Sequence, residues 1–289
     1  MNMNNNNLII VRGGGDLATG TIHKLYQCGF PVLILETDAP SAIRRNVAFC
    51  EAVYTGSQTV EGVACTRAEN TEKAVSLLHA HALPLLVDPK GACIAQLRPL
   101  AVVDAILAKR NLGTHRAMAP ITIALGPGFL AGEDVDAVIE TQRGHHLGRV
   151  ILEGSAAANT GVPGVIAGYG KERVIHSPAD GILRNVHALT DTVKKGEVIA
   201  VVEATQGNTP VYATLDGLLR GLICDGYPVT KGFKIADIDP RIEEYENCFT
   251  ISDKARCIAG GVLEALLYLQ RAARITRYIP SILSEEALI

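Results

Sequence analysis

The chain has 289 residues, with 27 basic and 30 acidic side chains and a formal charge of −3. That length admits roughly two compact domains with a buried core, and 48% apolar against 20% charged residues argues against a disordered chain. The near-neutral balance argues against a nucleic-acid protein, which needs clustered Lys and Arg.

The longest charge-free run, 154–170, holds five Gly and Pro163. It cannot span a bilayer as one helix, so no membrane segment is expected. Met1 to Asn7 is polar, and the apolar Leu8 to Val11 is too short for a signal peptide. The seven cysteines form no CxxC pair, which predicts reduced thiols and a cytoplasmic protein.

Leu8 to Val11 reads as a short strand that runs into Arg12-Gly13-Gly14-Gly15-Asp16-Leu17-Ala18. Asp16 to Cys28 has apolar residues at helical spacing and ends at Gly29, a C′ stop. Val32 to Glu36 is a second strand. Gly13-x-Gly15-x-x-Ala18 fits the dinucleotide fingerprint: glycines let backbone N–H groups approach a pyrophosphate at a helix N-terminus. Gly13, Gly14, Gly15, Asp16 and Ala18 are therefore candidate cofactor-binding residues. Glu36, at the end of the second strand, is the candidate partner of ribose hydroxyls. The same turn can also serve only tight strand–helix packing, with no ligand.

The alternation continues. A helix is expected from Pro40 to about Val53, a strand over 62–66, a helix from Asn70 to about Ala82 and a strand over 85–88. Leu100 to Ile106 is either a strand or a helix. Residues 1–115 thus predict a Rossmann-like, doubly wound parallel α/β sheet. Arg44 and Arg45 either reach a phosphate or form a solvated basic pair.

If 100–106 is a strand, Asp104 lies near its C-terminal end and Lys109 in the loop beyond, at the edge where open α/β sheets bind ligands. Ile121 to Leu125 is a strand that runs into Gly126-Pro127-Gly128, either an anion nest or a plain tight turn. A strand over 136–141 delivers a turn with Arg143, a bidentate anion clamp, and His145, a residue type suited to proton transfer. Asp104, Lys109, Arg143 and His145 are the candidate catalytic residues; Gly126 and Gly128 join the cofactor-binding set. His145 and His146 would diverge in a strand, as would His79 and His81 on a helix, so no metal site is expected. Residues 116–176 read as a mixed β extension, with 159–164 as a loop or lid.

An internal repeat follows. Ala179-Asp-Gly-Ile-Leu-Arg184 recurs as Leu215-Asp-Gly-Leu-Leu-Arg220, and Val193-Lys-Lys-Gly-Glu-Val-Ile-Ala200 as Val229-Thr-Lys-Gly-Phe-Lys-Ile-Ala236, both at an offset of 36. Each unit reads as strand, turn, strand. Residues 177–240 therefore look like the all-β barrel-sandwich hybrid of biotinyl and lipoyl carrier domains. Gln206 stands where those carry their modified Lys, so neither biotin nor lipoate is expected. Beyond it, 241–289 reads as a C-terminal helix and tail. Ser252-Asp253 are N-cap candidates, and Gly260-Gly261 cost the helix about 2 kcal/mol relative to Ala, which predicts close packing or a ligand contact.

Six motifs carry a family resemblance: Arg12–Gly20, Val103–Thr114, Ala124–Phe129, Glu140–His145, Asn159–Gly164 and Ser252–Arg256. In order, they resemble the accessory proteins of selenium-dependent molybdenum hydroxylases, a bacterial family related to the xanthine dehydrogenase accessory factor. The resemblance covers residues 8–272. It implies a maturation role, with a molybdenum hydroxylase apoenzyme and other molybdenum cofactor maturation proteins as partners. The departure at Ala255-Arg256-Cys257 implies that Cys257 is not an obligatory selenium or sulfur carrier. Two hypotheses follow: a chaperone for molybdopterin cytosine dinucleotide, or an NAD(P)-dependent oxidoreductase acting on a small molecule. No nucleic-acid or membrane partner is expected, and a homodimer stays open.

Overall fold

The computed structural model describes residues 7–283 apart from 163 and 206. The carrier-lysine position, Gln206, and Pro163 of the lid motif lie outside the described residues, as do Met1 to Asn6 and the last six residues.

Nine strands form one mixed sheet. The strand β1 (Ile9–Arg12) is central, and helix α1 (Asp16–Gln27) leads to β2 (Val32–Glu36). The one-turn α2 (Ala52–Thr55) precedes a hairpin of β3 (Ser57–Val60) and β4 (Val63–Ala68). Then come α3 (Thr71–His79), β5 (Leu83–Val87), the short α4 (Cys93–Leu97), β6 (Ala101–Asp104), β7 (Ile121–Leu125), β8 (Ala137–Ile139) and β9 (Val150–Ile151). The order across the sheet is β3-β4-β5-β2-β1-β6-β7-β8-β9. The inner pairs are parallel, and the two outermost pairs, β3–β4 and β8–β9, are antiparallel.

Period-2 alternation sends side chains to two cores. Ile9, Val11 and Ile34 pack with Ile22 and Leu25 of α1 on one face. Ile10, Leu33 and Val102 pack with Leu78 of α3 and Ile94 of α4 on the other. The 105–120 connection between β6 and β7 holds only a 3₁₀ turn, Arg116–Met118, and no helix joins β7 to β8. The face they leave uncovered is taken by the C-terminal helix α5 (Asp253–Leu283), whose Ile258, Val262 and Leu266 are fully buried there. Burial of each such side chain contributes about 1.5–3 kcal/mol.

The remaining strands are β10 (Val174–His176), β11 (Gly181–Asn185), β12 (Thr192–Val193), β13 (Val198–Ala204), β14 (Gly207–Tyr212), β15 (Gly217–Leu222), β16 (Pro228–Val229) and β17 (Lys234–Asp239). They form two four-stranded sheets, β10-β17-β15-β12 and β14-β13-β11-β16, every pair antiparallel. The 36-residue repeat exchanges one sheet with the other. A Cβ on Gly181 would lie 2.3 Å from Glu203 O, and one on Gly217 would lie 2.3 Å from Asp239 O, so both strand starts need glycine. Lys231 N donates to Asp180 and Lys195 N to Asp216, the same bond made twice across the repeat.

The architecture corrects the fold expected from the sequence. In place of a Rossmann-like doubly wound parallel sheet followed by a barrel-sandwich-hybrid-like domain, there is a nine-stranded mixed sheet and two four-stranded antiparallel sheets. The doubly wound expectation fails because the crossovers after β6 and β7 carry no α-helix and both edges turn antiparallel. The helix expected from Pro40 to Val53 is also replaced, by 3₁₀ turns at Arg45–Val47 and Phe49–Glu51 and by α2. This segment instead ties the two halves together: Leu222 N donates to Ile43 O, and Arg45 Nε donates to Leu222 O.

Gly260 and Gly261 separate cleanly. A Cβ on Gly261 would lie 2.1 Å from Gly148 O, whereas nothing lies within 4 Å of one on Gly260. We expect Gly261→Ala to destabilise the protein by about 2–3 kcal/mol through overpacking, and Gly260→Ala to stabilise it by about 0.5–1 kcal/mol. Urea denaturation of the two variants checks both signs.

Candidate functional site

The glycine turn is spent on packing. Gly13 N donates to Leu35 O at 2.7 Å, and Gly14 N donates to Glu36 Oε2 at 2.7 Å. The other oxygen of Glu36 accepts from Thr37 N. Burial pushes the Glu36 carboxyl up, against the pull of these two hydrogen bonds. Gly14 O in turn accepts from Cys50 N, and a Cβ on Gly14 would lie 3.0 Å from that nitrogen. A Cβ on Gly13 would lie 2.9 Å from Ala105 O. The segment before α2 thus sits on the turn where a pyrophosphate was expected, and Glu36 braces the turn from beneath. Asp16 pairs with Arg44 at 3.6 Å, and Ala18 is buried in the core. Arg45 pairs with Glu51 at 2.8 Å. Arg44 and Arg45 are therefore neither solvated nor free for a phosphate.

Asp104 closes a buried network rather than facing a cleft. Its carboxylate accepts from the Thr114 hydroxyl and from Ile106 N, and lies 3.9 Å from Arg12. Arg12 also donates to Thr114 and to Pro89 O. Arg12, Asp104 and Thr114 are each at most 2% exposed. Burial pushes the Asp104 carboxyl up, and the Thr114 and Ile106 hydrogen bonds with the Arg12 charge oppose it. The network joins the ends of β1 and β6 and anchors the loop that follows.

That loop carries Lys109 in a left-handed conformation, φ +61°. Its neighbour across the gap is Gly128, where a Cβ would fall 2.7 Å from Arg110 N and 2.9 Å from Lys109 C. Gly126 N donates to Ile139 O, and a Cβ there would meet Thr141 Oγ1 at 2.7 Å. Gly126 and Gly128 therefore set the close approach of two loops.

Lys109 and Arg143 do come together. They line a cleft of about 880 Å³ at the C-terminal edge of the large sheet, floored by Leu17, Leu107, Leu125 and Pro127 and flanked by residues 157–162 and Gly164. Three further lysines and a histidine complete it: Lys171, His176, Lys234 and Lys254. His176 of β10 and Lys234 of β17 are cross-strand partners, so both project from one face of their sheet. Lys254 enters from the first turn of α5, which Ser252 caps by accepting from Ala255 N. No Asp or Glu lines the cleft among the described residues. Lys109, Lys171, Lys234 and Lys254 form no ion pair among those residues, whereas Arg143 meets Asp253 at 3.0 Å on the exposed rim.

His145 lies elsewhere. It lines a neighbouring cavity of about 520 Å³ with His146, Arg149, Glu153 and Ser155, on the far side of Arg143. The 142–148 stretch is a turn, not the strand in which the two histidines would point apart, and His146 Nδ1 lies 3.3 Å from Arg149. Glu140 braces the wall between the two cavities by accepting from Thr141, Gln142 and Ala157 amides. No three His, Cys, Asp or Glu side chains among the described residues are grouped to hold a metal.

No family model matches the chain. It is 52% identical over 263 residues to the uncharacterized protein YqeB of Escherichia coli (strain K12), covering 91% of this chain and 48% of that one. The chain thus spans about half the length of the curated relative it matches. Among solved structures it is similar to the ectoine utilization protein EutE (DoeB) of Ruegeria pomeroyi, at 11% identity and a TM-score of 0.26, over 80% of this chain and 85% of that one. A succinylglutamate desuccinylase/aspartoacylase from Rhodobacter sphaeroides stands at 13% and 0.26, over 81% and 85%. Likenesses so low transfer neither fold nor activity. The resemblance drawn from the six motifs is corrected: the curated relative is named only as an uncharacterized protein, with no link to a selenium-dependent molybdenum hydroxylase, a molybdenum cofactor or a xanthine dehydrogenase. The maturation role is set aside with that resemblance. The NAD-dependent alternative is set aside with the glycine turn, whose amide and carboxylate bond to each other. No helix among the described residues is long and apolar enough to cross a membrane.

The buried network predicts a specific cost. Asp104→Asn leaves Arg12 buried without its counter-charge and should destabilise the protein by about 3 kcal/mol in urea denaturation. A loss below about 1 kcal/mol would show that Thr114 and Pro89 O satisfy Arg12 unaided.

Proposed function

We propose that this chain binds a small, multiply charged anion in the cleft between the large sheet and the β10-β17-β15-β12 sheet. The observation that carries the reading is the lining: five basic side chains and a histidine, with no carboxylate among the described residues, in a chain whose acidic residues outnumber its basic ones. Same-sign charge in a low-dielectric cleft repels itself and focuses the field on an incoming counter-ion. Two unit charges 4 Å apart near a protein surface interact by about 4 kcal/mol, so a dianion that touches several of these cations gains far more than one surface contact supplies. The volume falls within the range of about 300–1,000 Å³ usual for small-molecule sites. The apolar floor and the polar Asn159-Thr160 loop give room for a neutral portion of the ligand beside its charges.

Inorganic pyrophosphate is the simplest probe. At a hundred times its Kd it should stabilise the folded chain by about 2.7 kcal/mol, read as a raised thermal midpoint. Lys234→Glu should weaken binding at least about tenfold, and added salt should shrink the shift. An unchanged midpoint at millimolar pyrophosphate, or a shift that Lys234→Glu leaves intact, would overturn the reading.

A further inference from the structure

The four lysines of the cleft are not equivalent. Lys109, Lys171 and Lys234 are exposed, and Lys254 is half-buried. Lys254 also stands in the first turn of a 31-residue helix, where the positive end of the helix dipole disfavours an ammonium. Burial lowers its pKa first, and the nearby Arg143 guanidinium lowers it further. Asp16, Glu140 and Asp253 pull the other way without reversing the direction. Lys254 forms no ion pair among the described residues, so no carboxylate contact holds its amine in the charged form.

An amine of this kind, placed among fixed cations, is a nucleophile for a carbonyl carbon next to an anionic group. We propose that Lys254 forms an imine with an anionic carbonyl compound of the oxo-acid class, its carboxylate held by the neighbouring cations of the cleft. This rests on the anion reading of the same cleft. The neutral amine adds to the carbonyl carbon, and a C–N bond forms. A proton passes from nitrogen to oxygen. The carbinolamine then loses water as C=N forms and C–O breaks. Nothing is oxidised or reduced, and water is the only leaving group. His176 lines the same cleft, and an imidazole there is placed to carry the proton.

The test treats the whole chain at neutral pH with glyoxylate and cyanoborohydride, which traps imines, and maps the adducts by peptide mass spectrometry. Thermal melts with pyrophosphate run in parallel. Lys254 should be modified faster than Lys109, Lys171 or Lys234, since burial of its amine beside Arg143 favours the free base. Excess pyrophosphate should slow that modification, and Lys254→Arg should abolish it without moving it to another cleft lysine. Equal labelling of the four lysines, while pyrophosphate still raises the melting midpoint, overturns the imine and spares the anion reading. Selective labelling of Lys254 with no pyrophosphate effect on melting or on the labelling removes the anion reading and overturns the proposal with it, leaving a reactive amine without a carboxylate site.

Discussion

The seating of α5 on α1 and on the 142–149 turn is the constraint from which the rest follows. It is a backbone-to-backbone contact. Gly261 lies against Gly148 O, Gly148 against the backbone of Cys257, and Gly20 of α1 against Ala255, each too close for a larger residue. Because the helix sits this deep, it covers the face of β7 and β8 that no crossover helix protects. The same depth carries its first turn, with Lys254, into the cleft, and brings Asp253 to Arg143. Gly261 of the helix therefore acts on the site through packing.

Charge is distributed in two contrasting ways. Where the antiparallel sheets meet the rest of the molecule, the guanidinium groups are paired: Arg173 with Asp237, and Arg220 and Arg241 with the fully buried Asp239. Burial raises the Asp239 pKa, but the Arg241 hydrogen bonds and the charges of Arg241 and Arg220 outweigh it and hold the carboxyl low. Breaking one partner of such a pair costs several kcal/mol, about 3–5. In the cleft, four lysines have no such partner among the described residues. A fold that pairs its cations so consistently at one junction, and leaves them unpaired where they line a cavity, has an external counter-ion as the simplest completion.

Much of the layout was legible in the sequence, for physical reasons. Apolar runs at 8–11, 32–36 and 121–125 are short and have glycine or proline within two residues of an end, which leaves little alternative to buried strands. The 36-residue repeat showed itself because two copies must satisfy the same turn bonds, Asp180 to Lys231 N and Asp216 to Lys195 N. The β3–β4 hairpin was missed: its Glu61-Gly62 turn, with both φ positive, was a readable hairpin signal. The glycine fingerprint misled because tight packing and pyrophosphate binding demand the same residue type, and only the partner of Gly14 N distinguishes them. Asp104 looked catalytic at a strand end, but Arg12, distant in sequence, and Thr114, from the loop beyond, enclose it. Of the charged side chains that line the cleft, the sequence singles out Lys109 and Arg143, beside residues of the 159–164 loop motif. Lys171, His176, Lys234 and Lys254 come from later elements and meet the sheet only through folding. One signal was present: Lys234 replaces the apolar Val198 of the first repeat unit, a departure that packing within the repeat does not explain.

The most direct test is to place an anion by crystallography. Crystals soaked in tungstate, a heavy dianion of phosphate-like shape, would be measured at the tungsten edge. The account predicts an anomalous peak in the cleft, within contact of Lys254, Lys234 and Lys109, that excess pyrophosphate removes. Peaks only at other surface sites, with the cleft bare at saturating tungstate, would contradict it.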